Sequence, residues 1–358
     1  MKQDLLDLTM EEMKQFVVDL GEKPFRGKQV FQWLYRSAAS FDEMTDLPKA
    51  FREKLAEHAV IGRLELMDVQ EDPADGTRKF LFGTPQFLFD APAEKTEDTP
   101  MHGIESVFMK YSYGNTLCVS TQIGCKMGCA FCASALGGFL RNLTAGEMMA
   151  QVMEAERQTG EPISHIVLMG MGEPFDNYEN VSRFLQLMHA PEGRNMSWRH
   201  MTVSTSGIIP VMRRFGEDFP QVNLAISLHR IDDAGRSRIM PVNRKYPVGK
   251  LLETAREYTE KTGRRITFEY ALIRGENDRE EDVASLCSQL RGMLCHVNLI
   301  PLNEVAETGF AGSSRKRAQE IAQRLERAGI PATVRRELGS QIDGACGQLR
   351  MRHAGGDR

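Results

Sequence analysis

Three cysteines in the stretch GCKMGCAFCAS are the residues with the clearest capacity for chemistry. Cys125, Cys129 and Cys132 follow the spacing C-x-x-x-C-x-x-C, and glycines precede the first two, where a tight loop must turn several thiols toward one point. A structural zinc site needs four ligands, and so does each cluster of a typical electron-transfer iron–sulfur protein. Three thiolates leave one metal position open, which indicates a catalytic centre.

Cys118 is the nearest candidate for a fourth ligand. It lies upstream of Cys125 inside a predicted strand, whereas structural zinc sites usually combine two short paired motifs. The alternatives are a structural zinc site, a four-cysteine electron-transfer cluster, and a 4Fe–4S cluster held by three cysteines with one iron open. The spacing favours the third. Cys287 and Cys295 lie in apolar segments and are predicted to be core cysteines.

The composition limits the class of protein. The 358-residue chain starts without the basic and apolar regions of a signal peptide, and no apolar run approaches the roughly 20 residues needed to span a bilayer. It has seven cysteines, an odd number, which does not fit a secreted disulfide framework. We therefore expect a cytoplasmic protein with no membrane association.

Charge is unevenly distributed along the chain. The net charge is −4, yet residues 314–358 contain ten Lys and Arg against five Asp and Glu. A basic segment on an acidic body can contact nucleic-acid phosphates, and it can equally be a solvated helix surface. The charge alone leaves both interpretations open.

Residues 1–58 are predicted to form a small helical domain. Thr9 and Glu12 make a T-x-x-E capping box, and two further helices are expected at 28–36 and 48–58. Basic and aromatic residues are interleaved here, which is compatible with RNA binding, but aromatic residues at helical spacing belong more often to a core. The residues are Lys23, Phe25, Arg26, Lys28, Phe31, Trp33, Tyr35 and Arg36.

Strands and helices alternate over the larger part of the chain. Residues 59–110 are predicted to be a β-rich connecting segment, 111–340 a series of about seven β/α units, and 341–358 a C-terminal tail containing Cys346. Buried, β-branched strands in such a series pair in parallel, so we expect an α/β fold, an incomplete (β/α)6-type barrel. The cysteine loop follows the first strand of this series, at the end where active sites of parallel α/β folds lie.

The cysteine motif in this position resembles that of the radical S-adenosylmethionine (radical SAM) superfamily. A closer resemblance, to the RlmN family of RNA adenine methyltransferases, runs from about residue 20 to 352. It is carried, in order, by GCKMGCAFCAS, GFLRNLTAGE, LMGMGEP, VSTSGIIP, AISLH, MPVN, VNLIPLN and IDGACGQL. Pro174 and the STSG motif fit this family better than the sister Cfr type.

The resemblance implies two cofactors and the residues that bind them. A 4Fe–4S cluster would be bound by Cys125, Cys129 and Cys132, and S-adenosylmethionine would chelate its open iron. The residues implied to contact S-adenosylmethionine all follow predicted strands. They are Gly172, Glu173, Ser204, Ser227, Leu228, His229 and Asn303.

The resemblance also implies a methyl-cysteine mechanism. One S-adenosylmethionine methylates Cys346, and a second is cleaved reductively to the radical that activates this methyl group. Glu105 would then remove the proton from the adenine ring, and Cys118 would attack the Cys346 sulfur to release the product. The Gly-flanked segment around Cys346 suits such movement.

The implied substrates are adenosine 2503 of 23S rRNA and adenosine 37 of certain tRNAs, each methylated at carbon 2. The implied electron donor is a reducing flavodoxin or ferredoxin, and the implied protein is a monomer. One alternative is a Cfr-type enzyme that methylates carbon 8 and confers antibiotic resistance. Another is a zinc-stabilised RNA-binding protein without catalysis, which would need four cysteine ligands and would make Cys346 dispensable.

Overall fold

The structure is a computed structural model. It describes residues 2–36, 38–84, 102–303 and 305–336, and from the C-terminal tail residues 338–339, 341–342, 344, 347–349 and 352–353. Cys346 therefore lies outside the described residues.

The N-terminal residues form the expected helical unit. Strand β1 (Gln3–Asp4) pairs in parallel with β2 (Ala59–Val60). Between them lie α1 (Met10–Asp19), α2 (Phe25–Tyr35) and α3 (Lys49–His58). The capping box of Thr9 and Glu12 is confirmed at the start of α1.

Most of the aromatic residues of this unit pack in or against its hydrophobic core. Phe31 and Tyr35 are buried, and their rings stack with centroids 4.5 Å apart. Phe25 is the exception, since it is exposed and the Arg26 guanidinium lies over its ring. Spacing alone thus favoured the correct, structural interpretation for the buried pair.

One large sheet carries the rest of the fold. Its strands follow the order β14-β13-β12-β11-β10-β9-β6-β5-β4-β3, and β15 pairs with β5. The antiparallel part comprises β3 (Glu65–Glu71), β4 (Arg78–Thr84), β5 (His102–Tyr111) and β15 (Arg352–His353). The parallel part comprises β6 (Gly114–Cys118), β9 (His165–Leu168), β10 (Met201–Thr205), β11 (Asn223–Ser227), β12 (Ile266–Leu272), β13 (Cys295–Pro301) and β14 (Ala332–Val334).

Helices connect the successive parallel strands. They are α4 (Ala145–Thr159), α5 (Tyr178–His189), α6 (Ile209–Asp218), α7 (Asp233–Ile239), α8 (Val248–Thr262), α9 (Glu280–Leu290) and α10 (Arg315–Arg327). Within the described strands, β14 does not pair with β3, so the sheet is not closed. Six strand–helix units and a final parallel strand confirm the predicted incomplete barrel. Strands β3, β4 and β5, most of whose residues come from the predicted connecting segment, extend the same sheet.

The first barrel strand differs from the sequence-based expectation of a single strand over TLCVSTQIG. It ends at Cys118, and β7 (Gln122–Gly124) leaves the sheet to form an antiparallel hairpin with β8 (Phe139–Asn142). The break is at Ser120, because the Gln151 side chain accepts from its backbone N–H and donates to its carbonyl, both at 2.9 Å. A side-chain amide thereby takes the place of a neighbouring strand.

Cys287 and Cys295 are buried in the main hydrophobic core, as predicted. No helix in the described ranges is long and apolar enough to cross a membrane.

Candidate active site

The cysteine loop lies between β7 and β8 and is fixed from two sides. At its start, Gly124 has φ +74°, and a Cβ there would lie 2.0 Å from the Gly138 carbonyl oxygen, so only glycine fits. The Cys125 amide donates to that same carbonyl at 2.7 Å. Further along, the Ala130 amide donates to Ile239 of α7. The hairpin and α7 therefore determine where the cysteine side chains lie.

The thiols of this loop are desolvated. Burial raises the pKa of Cys125 to about 12, and burial raises the pKa of Cys129 well above its usual range. Without a metal these thiols hold their protons, and a metal must displace them to bind. Among the described residues, no group of three or more His, Cys, Asp or Glu side chains is placed to hold one metal ion.

A cavity opens beside the three cysteines, and the carboxyl ends of the parallel strands form its wall. Six of the seven residues implied to contact S-adenosylmethionine line it, and Cys125, Cys129 and Cys132 line it as well. The six are Gly172, Glu173, Ser204, Ser227, His229 and Asn303. Leu228 does not line the cavity, since its side chain lies in the hydrophobic core and its amide donates to the Glu269 carbonyl.

Glu173 is a buried carboxylate in this wall. It accepts hydrogen bonds from the Phe175 amide, the Thr205 hydroxyl and the Ser206 amide, at 3.0, 2.7 and 2.7 Å. Burial nevertheless raises its pKa. A cationic ligand would relieve this cost, because an ammonium stabilises the ionised form of a desolvated carboxylate. S-adenosylmethionine carries such an ammonium group.

Two glycines let the backbone run close to its neighbours at this wall. A Cβ on Gly170 would lie 2.7 Å from the Ser120 hydroxyl, and one on Gly172 would lie 2.7 Å from the Gln122 Cβ. Gly172 also has φ +105°, a conformation that side chains rarely adopt. The GMGE motif is thus packed tightly against the β6–β7 connection, and this positions Glu173 toward the cavity.

His229 is held as a neutral ring in a left-handed backbone conformation with φ 52°. Its Nδ1 accepts from the Ala271 amide at 2.9 Å, so its Nε2 must carry the proton. Burial lowers the pKa of His229 to about 3. The ring packs edge-to-face against Phe131 of the cysteine loop, with centroids 4.9 Å apart. His229 therefore places a neutral ring and a single N–H donor beside the cysteine loop.

Cys118 and Glu105 lie on one face of the sheet, outside the lining of the cavity. Cys118 is directly opposite Val107, two residues from Glu105 on β5. Glu105 is buried, and Lys79 Nζ lies 3.6 Å from its Oε1. Both residues are buried, and the intervening Ser106 donates to Gln151 of α4 on the opposite face. The predicted base and release thiol therefore share the inner face of the sheet, turned away from α4.

The C-terminal tail connects this face to the cavity. Gly347 and Leu349 line the cavity, and Leu349 also packs in the cluster of apolar residues that contains Cys118. The Ala133 amide donates to the Gly347 carbonyl at 2.7 Å, and the Ser134 hydroxyl donates to the Leu349 carbonyl at 2.6 Å. Residues that directly follow Cys346 are thus bound to the cysteine loop.

Sequence reasoning missed two charged residues at this site. Glu269 lines the cavity, is buried, and accepts from the Asn298 amide at 2.8 Å. The sequence does indicate this residue, because a single carboxylate interrupts the otherwise apolar strand RITFEYALI. Arg236 is fully buried behind the cavity wall, and nothing in the charged stretch RIDDAGRSR distinguishes it from its neighbours.

The basic C-terminal segment is partly occupied by contacts within the protein. Arg317 and Arg324 of α10 both pair with Glu280 of α9. Arg335 lies near Glu269: burial raises the pKa of that carboxyl, and the charge of Arg335 partly offsets the rise. The RNA-contacting interpretation of this segment stays a prediction.

Comparison with known proteins gives consistent results. Residues 3–61 match the family model of the ribosomal RNA large subunit methyltransferase N-terminal domain, and residues 119–287 match that of the radical SAM superfamily. A probable dual-specificity RNA methyltransferase RlmN from Clostridium perfringens (strain SM101 / Type A) is 49% identical over 348 residues, covering 97% of this chain and 96% of the relative. One from Desulforamulus reducens is 46% identical over 353 residues, covering 98% and 97%.

A solved structure agrees in fold and sequence. The crystal structure of a radical SAM methyltransferase from Sphaerobacter thermophilus matches with a TM-score of 0.89 and 43% identity, covering 97% of this chain and 99% of that one. Both the helical N-terminal unit and the barrel with its cysteine loop are thus accounted for by relatives of nearly equal length. The chain belongs to the RlmN family of radical SAM RNA methyltransferases.

Proposed function

We propose that this protein methylates carbon 2 of adenosine 2503 in 23S rRNA and of adenosine 37 in tRNAs, through a methylated Cys346. The relatives are named dual-specificity RNA methyltransferases, which supports action on both kinds of RNA. The observation that carries the proposal is the meeting of three thiols, six strand-end residues and the tail next to Cys346 around one cavity.

The family uses a 4Fe–4S cluster and S-adenosylmethionine, and the cavity suits both. When bound, they supply the one-electron chemistry that activates a methyl group. Cys125, Cys129 and Cys132 would hold the cluster. Glu173 would accept hydrogen bonds from the ammonium of S-adenosylmethionine, and His229 would offer its Nε2 proton as a donor.

Glu105 and Cys118 would complete the reaction on the inner face of the sheet. Glu105 would take the proton from the substituted ring carbon. The Cys118 thiolate would then attack the Cys346 sulfur, and the sulfur–carbon bond would break with its electron pair left on the product carbon. That carbon would take up a proton to become the methyl group. A disulfide between the two cysteines would remain for an external thiol to reduce.

We further propose a monomeric, cytoplasmic enzyme that receives electrons from a flavodoxin or ferredoxin. The supporting argument is chemical, since reductive cleavage of S-adenosylmethionine consumes an electron that no described side chain can supply. The Cfr-type carbon-8 activity is not favoured, because the matching relatives are named RlmN. The zinc-stabilised, non-catalytic alternative does not fit membership of a methyltransferase family.

The test is nucleoside analysis of RNA from a bacterial strain that lacks its own enzyme of this family. Expression of the wild-type protein should restore 2-methyladenosine in 23S rRNA and tRNA, measured by mass spectrometry against synthetic 2- and 8-methyladenosine. Cys346→Ala should restore neither. A carbon-8 product would overturn the proposed reaction, and product in rRNA alone would overturn the dual specificity.

Cys118→Ala separates release from methyl transfer. We expect protein covalently attached to RNA, visible as a band of reduced mobility that ribonuclease removes. The matched control is Cys287→Ala, a buried core cysteine away from the site, which should turn over without the band. If Cys118→Ala also turns over normally, the release step belongs to another group.

A further inference from the structure

Arg236 is a buried guanidinium whose hydrogen bonds, in the described part of the chain, all go to neutral oxygens. Its side chain has no solvent exposure. It donates four hydrogen bonds, and their acceptors are the Leu228, Ser206 and Ser227 carbonyls and the Asn243 side-chain oxygen, at 3.1, 2.7, 3.0 and 3.1 Å. Burial lowers the pKa of Arg236 to about 10, so it still carries its charge at neutral pH.

Such a charge is costly to bury unless an opposite charge compensates it. Asp233, at the start of the same helix, contributes at longer range. Asp233 is solvent-exposed, however, so water screens its attraction to the buried guanidinium. The buried charge of Arg236 therefore calls for a further anionic partner.

The hydrogen bonds of Arg236 join two strand ends. Ser206 follows β10, Ser227 ends β11, and Leu228 comes next, so one planar group holds both ends at a fixed separation. These strands carry Ser204, Ser227 and His229 into the cavity. The helix of Arg236 also contacts the cysteine loop, where Ile239 accepts from the Ala130 amide. A single residue therefore connects the two walls that face the cofactors.

We infer that Arg236 is a positioning residue with two roles: it fixes the ends of β10 and β11 against S-adenosylmethionine, and it supplies the buried positive charge that offsets the cysteine-bound cluster. The inference rests on the proposal that Cys129 is a cluster ligand. It also gives Leu228 a role at the site: its carbonyl accepts a hydrogen bond from Arg236, although its side chain does not reach the cavity. Because cluster reduction adds negative charge, a fixed cation beside it favours the reduced state.

Two substitutions separate these roles. Arg236→Lys keeps the charge but not the planar set of donors that joins the strand ends. Arg236→Met removes both the charge and the donors while keeping an apolar stem. The control is Arg238→Met, which removes a solvent-exposed arginine from the same helix. Each protein is purified anaerobically with its cluster, and iron content and the far-ultraviolet circular dichroism spectrum are checked first.

The readouts are the cluster midpoint potential, by electron paramagnetic resonance during redox titration, and the Kd of S-adenosylmethionine, by equilibrium dialysis. For Arg236→Met we expect a reduction equilibrium about ten-fold less favourable, a shift of about 59 mV to lower potential for one electron. For Arg236→Lys the reduction equilibrium should change by less than about three-fold. Both variants should bind S-adenosylmethionine at least about ten-fold more weakly than the wild type. Arg238→Met should change neither quantity.

The failures are distinguishable. If the wild-type protein assembles no cluster, the proposed function is wrong. If the wild type is loaded and Arg236→Met keeps its potential, the charge role is refuted, and if Arg236→Lys keeps its Kd, the positioning role is refuted. Should Arg236→Met fail to fold, Arg236→Gln, which retains an amide donor for a strand-end carbonyl, takes its place with the same expected shift in potential.

Discussion

Acidification should destabilise the protein through His229. Burial lowers its pKa from 6.5 to about 3, so below pH 6.5 the unfolded chain binds a proton that the folded chain refuses. The stability that depends on the neutral ring is therefore complete above pH 6.5 and falls until about pH 3. Between pH 7.5 and 5.0 only the unfolded chain takes up this proton, and it does so over the about 1.5 pH units below its pKa of 6.5. At about 1.36 kcal/mol per unit, the free energy of unfolding falls by about 2 kcal/mol.

The assay compares urea unfolding of the cluster-free wild-type protein and His229→Asn at both pH values. Asparagine tolerates the left-handed backbone at this position, so the variant removes the titrating ring with little added strain. All other histidines are common to both proteins, and their contributions cancel. We expect the wild type to lose about 2 kcal/mol more than the variant on acidification. Equal losses, or a His229 ring that titrates near 6.5 by nuclear magnetic resonance, would refute the reasoning.

Three further outcomes follow from the geometry. Gly172→Ala should unfold about 1–3 kcal/mol more readily than Gly160→Ala in urea titrations, because both positions have positive φ but only Gly172 lacks room for a Cβ. Asp4→Asn should raise the thermal midpoint at pH 8 but not at pH 4.5, because burial raises the Asp4 pKa to about 6 and stability is lost as pH rises through that value; an equal gain at both pH values would contradict this. Glu173→Gln should weaken S-adenosylmethionine binding at least about ten-fold in equilibrium dialysis, whereas the exposed Glu179→Gln should leave it unchanged.

The strand-end residues show why much of this site was accessible from sequence. Parallel strands present their carboxyl ends at one edge of a sheet, so polar residues that follow separate strands must meet there. Glu173, Ser204 and Asn303 are far apart in sequence, yet all three line the cavity. The family motifs assigned roles to these positions, and the alternation of strands and helices independently placed them together.

What the sequence could not show depends on contacts between distant residues. The first barrel strand ends at Cys118, and Gln151 of the following helix then binds the backbone of Ser120. No local sequence pattern predicts that contact. Arg236 looks like one of several charges around α7, and only the packed structure surrounds it with carbonyls. Similarly, only the structure shows that Glu105 is buried beside Lys79.

The proposed reaction requires that Cys125, Cys129 and Cys132 hold the cluster. Metal analysis of anaerobically purified protein should find about four iron atoms per chain in the wild type and in Cys118→Ala. Cys125→Ala, Cys129→Ala and Cys132→Ala should each lose most of that iron, while the core variant Cys287→Ala should retain it. Stoichiometric zinc in place of iron, or loss of iron from Cys118→Ala, would contradict the central claim.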